Sequence, residues 1–266
     1  EPRYYENQMG TINSMGLPNE GSEFYVKKIG KFNKPYMISV AGNYLLNDFK
    51  ILEDINEEAR EKKINKIMVE INVSCPNISG KEQLAYNFVD FKYFLSLLQN
   101  YHSQKYAFTN LVLGLKLPPY FDPIHLQKIH DVISPYLGLI QFITAINSVG
   151  NTLIVDSQNE STVIKPKKGL GGLGGSYVKP VALANIWQLY NLFGDSVVII
   201  GCGGIASGED VFEHILCGAS FCQIGSQLMI EGSECFERII SELKNILREK
   251  QYRKISDFRG KLKVIA

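Results

Sequence analysis

No stretch of this 266-residue chain approaches the roughly 20 consecutive apolar residues that span a bilayer, and no secretory signal pattern opens it. An excess of charge is missing too: 28 Lys and Arg stand against 27 Asp and Glu, a net charge of +1, with no long block of either sign. That balance argues against nucleic acid or an anionic membrane surface as the main partner. The cysteines Cys75, Cys202, Cys217, Cys222 and Cys235 are odd in number, scattered and free of C-x-x-C. They suit a reducing, cytoplasmic compartment better than a disulfide framework. His102, His125, His130 and His214 have no zinc spacing with them, so no metal is expected. An initiator methionine is also lacking, since the chain opens EPRYYENQMG.

What is present is a globular composition, 45% hydrophobic and 21% charged. Apolar, β-rich runs of strand length recur: Pro35 to Gly42, Lys66 to Ser74, Leu111 to Leu117, Leu139 to Ile146, Ser196 to Gly201 and Ser220 to Gly225. Near-continuously apolar strands are what a parallel sheet covered on both faces requires. Helical patterns separate most of them. Asp122-Pro123 places a capping carboxylate before a proline at the first helical position, and Leu126, Ile129 and Ile133 follow at helical spacing. Pro180 opens another helix with Ala182, Ile186, Leu189 and Phe193, and a last stripe runs through Phe236, Ile239, Ile240, Leu243, Ile246 and Leu247. No repeat or linker interrupts this order, so residues 1–266 read as one α/β domain.

A doubly wound sheet would carry its phosphate loop after the first strand, and Val40-Ala41-Gly42-Asn43 is not such a loop. The phosphate-like loops, Gly201-Cys202-Gly203-Gly204-Ile205 and Gly225-Ser226-Gln227, follow the last two strands instead. That is where (β/α)₈ barrels hold phosphate, on backbone N–H groups and a helix N-terminus. The expected fold is therefore an α/β (β/α)₈ TIM barrel with about six of its eight βα units visible and the first two strands upstream of Glu1. Gly169-Leu170-Gly171-Gly172-Leu173-Gly174 matches G-x-G-x-x-G, but Lys165-Pro166-Lys167-Lys168 precedes it where a dinucleotide fold needs a strand. The segment reads as a flexible one whose backbone admits a flat ligand.

Glu70 through Lys81 carries the most chemistry, because Cys75 stands where a strand's C-terminal end becomes a Pro- and Gly-containing loop, the place from which barrels project catalytic groups. The other four cysteines read as core or loop residues. Asn13, Asn72, Asn77 and Asn147 recur at strand ends and loops, each offering an acceptor and a donor pair, although asparagine favours turns for its own reasons. Lys116 ends an apolar strand and calls for an anionic partner there. It suits a Schiff base, a flavin ring or a carboxylate.

Read in order, these segments resemble the class 1A dihydroorotate dehydrogenases. The matching strings are Asn13 through Asn19, Asn72 through Gly80 continuing into Leu84-Ala85-Tyr86, Gly114 through Asp122, Asn147 through Asn151, Val163 through Lys167, the loops at Gly203-Gly204 and Gly225, and Phe258 through Lys263. The resemblance implies a barrel that binds FMN and oxidises (S)-dihydroorotate to orotate in pyrimidine biosynthesis, as a cytoplasmic homodimer with fumarate as acceptor. It implies that Cys75 takes the C5 proton while the flavin takes hydride from C6. It places substrate at Asn13, Met15, Gly16, Leu17, Asn72, Asn77, Asn147 and Ser148, and flavin at Asn72, Lys116, Ile146, Gly175, Gly203, Gly204, Gly225 and Ser226. Pro76 through Tyr86 would be a flap over the substrate, and Ser226 stands where the family often has threonine. The family's first two strands, and a lysine at the end of the second, have no counterpart in the chain. Two alternatives are an NAD-linked catalytic subunit of the same family and a phosphate-binding barrel aldolase that uses Lys116.

Overall fold

Alternating side chains decide how this chain packs. In the run IMVEIN, Ile67, Val69 and Ile71 point one way and Met68, Glu70 and Asn72 the other, so one strand presents an oily face and a largely polar one. The computed structural model describes residues 2–8, 10–41, 45–75, 82–105 and 108–265.

An antiparallel hairpin of β1 (Tyr4–Asn7) and β2 (Gly10–Asn13) comes first, then the short helix α1 (Ser22–Val26). Strands and helices then alternate as β3 (Met37–Val40), α2 (Leu45–Glu61), β4 (Ile67–Asn72), α3 (Phe88–Lys105), β5 (Leu111–Leu117), α4 (Pro123–Ile133) and β6 (Ile140–Ala145). Four short strands intervene: β7 (Val149–Thr152), β8 (Val155–Asp156), β9 (Ser161–Thr162) and β10 (Gly171–Gly175). The alternation resumes with α5 (Lys179–Phe193), β11 (Val198–Cys202), α6 (Gly208–Leu216), β12 (Phe221–Gln223), α7 (Ser226–Glu231) and α8 (Glu234–Glu249).

The six apolar runs all become strands of one parallel sheet, ordered β12-β11-β6-β5-β4-β3. Its register sets Asn72 opposite Lys116 and Lys116 opposite Thr144, which lines up the polar residues at the C-terminal strand ends. Curling is visible in one bond: the Gln223 amide of edge strand β12 donates to the Glu70 carboxylate of β4 at 3.1 Å, across three intervening strands. This is the curled parallel sheet of the α/β (β/α)₈ barrel fold, and among the described residues six strands form it.

Helices cover the outer face. Leu113, Leu115 and Leu117 of β5 join Leu95 and Leu98 of α3, Ile129 of α4 and Ile186 of α5 in one core. The Asp122 carboxylate accepts from the His125 N–H at 2.9 Å and caps α4, with Pro123 at its first position. On α8 the stripe is narrower than its spacing predicts: Ile239 is buried with Cys235, whereas Phe236 and Ile240 are 40% and 50% exposed. The helix packs against α6 and the short α7, which together do not cover a stripe that wide.

The sequence pattern gives no hint of the second sheet, ordered β1-β2-β10-β7 and antiparallel throughout. The glycine run Gly171–Gly175, expected to be flexible, is a strand in its middle. Gly171 is glycine for a packing reason, because a Cβ there would lie 2.6 Å from the Asn13 carbonyl oxygen.

A charged knot fixes the start of α6. The Asp210 carboxylate accepts from Lys179 Nζ at 2.6 Å, from the Ala206 and Ser207 N–H groups at 2.9 and 2.8 Å, and from the Ser207 hydroxyl at 2.9 Å. Burial opposes ionisation of Asp210, but these donors outweigh it and hold the carboxyl below the usual range. A group depressed on folding adds stability that is complete above its unfolded pKa of about 4 and drains away as pH falls through its lower folded value. We expect Asp210→Asn to cost about 2–4 kcal/mol at pH 7 in urea unfolding and to lose less than wild type on acidification below pH ~4. Equal stability of the two proteins at pH 7 would show that the knot holds nothing.

Candidate active site

The C-terminal strand ends and the antiparallel sheet above them enclose a cavity of about 770 Å³. That is within the ~300–1,000 Å³ range of small-molecule sites. Its floor comes from the strand ends, through Asn72, Lys116, Ile146, Cys202 and Gln223, and one wall from the hairpin, through Thr11 and Asn13.

Cys75 lies three residues past the end of β4, partly buried, and lines the cavity. The loop that follows is tied back to its strand where the Ala85 N–H donates to the Val73 carbonyl at 3.1 Å. Tyr86 and Tyr120 lock the two neighbouring loops together, their hydroxyls donating to the Pro119 and Ala85 carbonyls at 2.8 and 2.7 Å. Burial pushes the Cys217 thiol up to about 11 and the Cys222 thiol up to about 12, so neither ionises near neutrality. Cys235 is fully buried in the α6–α8 cluster. Cys202, expected to be core or loop, instead lines the cavity, with its sulfur 3.6 Å from Lys116 Nζ.

Asn72 and Asn147 meet around Ser74, whose side chain is buried. The Asn147 amide donates to Asn72 Oδ1 at 3.2 Å and to Ser74 Oγ at 3.0 Å, and the Ser74 hydroxyl donates to Asn72 Oδ1 at 3.1 Å. The Ser148 N–H donates to Asn147 Oδ1 at 2.8 Å, which fixes that amide's orientation as well. Ser74 has no signal in the sequence beyond its place between Asn72 and Cys75. Asn13, Met15, Leu17 and Ser148 all line the same cavity, while Gly16 turns the chain between two of them with φ 76° and does not line it. Asn77 and most of the expected flap, residues 76–81, lie outside the described residues.

Lys116 finds its anion indirectly. Its ammonium donates to the Gln223 Oε1 at 2.8 Å, the Gln223 amide nitrogen donates to Glu70, and the Ser39 hydroxyl donates to the other Glu70 oxygen at 2.9 Å. Glu70 is only 3% exposed. Sequence reading missed both Glu70 and Gln223, although the reasoning applied to Lys116, a polar group inside an apolar strand, would have found them.

The glycine loops divide on inspection. Gly175, Gly203, Gly204, Gly225 and Ser226 all line the cavity. Gly203 and Gly204 have φ 131° and 75°, and a Cβ on Gly204 would sit 2.4 Å from the Lys179 Cβ, so the fold itself demands glycine there. Gly225 has φ −113° and nothing within 4 Å of a Cβ, so neither backbone nor packing requires glycine. What its missing side chain leaves is room in the cavity. The start of α6 does not present the free N–H groups expected of it, since Asp210 takes those of Ala206 and Ser207 and Glu242 takes that of Gly208 at 2.7 Å. Among the described residues no group of three His, Cys, Asp or Glu side chains could hold a metal ion, and no helix is long and apolar enough to cross a membrane.

The dihydroorotate dehydrogenase family profile matches residues 1–247. The chain belongs to the dihydroorotate dehydrogenase family. It is 45% identical over 273 residues to the dihydroorotate dehydrogenase (fumarate) of Kluyveromyces lactis, a match that covers 100% of this chain and 82% of the relative. The Saccharomyces cerevisiae enzyme of the same name is 43% identical over 267 residues, covering 100% of this chain and 82% of its own. Dihydroorotate dehydrogenase A (fumarate) of Lactococcus lactis subsp. lactis is 42% identical over 268 residues, covering 98% and 82%. These are fumarate-type members, which places the chain with class 1A. Among solved structures, Eimeria tenella DHODH in complex with ferulenol superposes with a TM-score of 0.70 at 19% identity, covering 98% of this chain and 74% of that one, and shares the fold.

The two kinds of glycine lining this cavity separate by substitution. We expect Gly204→Ala to destabilise by about 1–3 kcal/mol and Gly225→Ala to stay within about 0.5 kcal/mol of wild type in thermal unfolding. A Gly225→Ala protein as unstable as Gly204→Ala would mean that the fold, and not the cavity, demands glycine at 225.

Proposed function

We propose that this protein oxidises dihydroorotate to orotate, with FMN as its cofactor and fumarate as its electron acceptor. The carrying observation is that one cavity gathers Cys75, the Asn72–Ser74–Asn147 cluster, Lys116 and the Gly225-Ser226 loop. The names of the fumarate-type relatives support the substrate and the acceptor.

The residues present fit a flavin mononucleotide. The cavity volume is adequate, Gly225 leaves space that no packing requirement explains, and the Gly203-Gly204 and Gly225-Ser226 loops offer backbone N–H groups to a phosphate. Lys116, at the end of β5 and aimed by Gln223, would face the negative charge that a reduced isoalloxazine carries. When bound, FMN supplies the two-electron acceptor that no amino-acid side chain provides.

The remaining chemistry belongs to the protein. Dihydroorotate presents ring N–H and C=O groups and a carboxylate, and asparagine amides match both hydrogen-bonding senses. Asn72 and Asn147 are held by Ser74 and the Ser148 backbone, so they meet a ligand already oriented and lose little freedom on binding. Asn13, Met15, Leu17 and Ser148 would complete the substrate's surroundings, with Gly16 turning the chain there and Asn77 on the loop beyond Cys75. Cys75 is the base for the C5 proton. It stands on a loop whose ends are fixed, beside the cavity and outside the hydrophobic clusters that hold Cys217 and Cys235.

The test is direct. The purified full-length protein should be yellow, release FMN on denaturation, and form orotate with fumarate but without quinone, NAD or a partner chain. Cys75→Ser should keep the flavin and slow its reduction by dihydroorotate by about 10²–10⁴-fold in stopped-flow absorbance. A colourless, FMN-free protein would overturn the flavin reading, and a serine variant reduced at the wild-type rate would remove Cys75 as the base.

A further inference from the structure

A buried carboxylate with two partners sits on the polar face of the curled sheet, and it touches neither Cys75 nor the asparagine cluster. Glu70 is 3% exposed, and its oxygens are taken by the Ser39 hydroxyl at 2.9 Å and the Gln223 amide nitrogen at 3.1 Å. Gln223 in turn accepts from Lys116 Nζ at 2.8 Å. The polarity of this chain is fixed by chemistry. A carboxylate only accepts and an ammonium only donates, so the amide between them must turn its NH₂ to Glu70 and its oxygen to Lys116. Flipped, it would set a carbonyl against a buried carboxylate and an NH₂ against an ammonium, two repulsions.

We propose that Glu70 is a positioning residue for the cofactor's side of the site: through Gln223 it locks the amide whose oxygen aims Lys116 into the cavity that would hold the flavin. This rests on the FMN reading given above. Lys116 has three N–H groups. One is spent on Gln223 and one points to the Cys202 sulfur at 3.6 Å, which leaves the third for the cavity that Lys116 lines. The lock spans the sheet, from β3 and β4 on one side to β12 on the other and back to β5, so it also holds the curl at the depth of Lys116. Evidence that the arrangement serves the site and not bulk stability lies in its cost. A buried carboxylate linked to an ammonium through an amide is no more stable than an apolar filling of the same volume, and the outer face of these strands uses only apolar filling.

Glu70→Gln weakens the polarity, because an amide at 70 can present either end to Gln223 and leaves Lys116 alone to orient it. The midpoint potential of bound FMN, measured against a redox dye, should fall by the equivalent of a roughly tenfold loss in the two-electron reduction equilibrium, about 30 mV. Gln223→Leu breaks the same link from the other side and should lower the potential likewise. The exchange variant, Glu70→Gln with Gln223→Glu, restores it, since the new carboxylate at 223 accepts from Lys116 and from the new amide at 70. Recovery to within about threefold of the wild-type equilibrium supports the lock. Loss of a purely structural buttress would lower the melting temperature but would not reverse in the exchange variant. A folded single variant with the wild-type potential, or a folded exchange variant with the potential of Glu70→Gln, overturns the inference while leaving the flavin reading intact. A wild-type protein that takes up no FMN overturns both.

Discussion

The bond between Gln223 and Glu70 ties β12 to β4 across the width of the parallel sheet, and the geometry of the site follows from it. A sheet of this twist curls of its own accord, but the depth at which its two ends meet depends on what fills the space between them. Here that filling is polar: Ser39, Glu70, Gln223 and Lys116 form one hydrogen-bonded chain. The outer faces of the same strands carry the leucines and isoleucines that pack under the helices. Strand alternation thus sends stability outward and chemistry inward, and β4 and β5 show it most clearly.

Parallel register then does the work of assembly. Asn72, Lys116 and Thr144 stand abreast on neighbouring strands, and the chain leaves each strand end directly into the site. The antiparallel sheet closes the space from above, with Thr11 Oγ1 and Ser226 Oγ 2.8 Å apart linking the hairpin to the loop after β12. The start of α6 is sealed by two carboxylates, Asp210 of its own first turn and Glu242 of α8, which take the N–H groups of Ala206, Ser207 and Gly208.

Several features were plain in the residues. The six parallel strands were legible because buried strands must be apolar, and the cap at Asp122 because a carboxylate just before a proline-led helix has few other uses. Cys75, Asn72, Asn147 and Lys116 were legible as chemistry out of place beside apolar runs. Other features were not. The strands GTIN, VGNT and GGLGG are short, and their apolar residues carry no period. Gly171 owes its identity to the Asn13 carbonyl of a strand 158 positions earlier in the chain, a contact invisible to any local reading. Ser74 escaped because a serine beside a loop needs no explanation until its oxygen is seen between two asparagines.

By itself, then, the sequence determined which segments form the parallel sheet and which residue types stand at their ends, because apolar periodicity and capping chemistry are local properties of the chain. Only the tertiary structure decided that Glu70 and Gln223 answer Lys116, that Cys202 faces the cavity, and that Gly203 and Gly204 serve the backbone while Gly225 leaves room. Each of those depends on atoms brought together from distant strands, and no spacing along the chain encodes the distance between them.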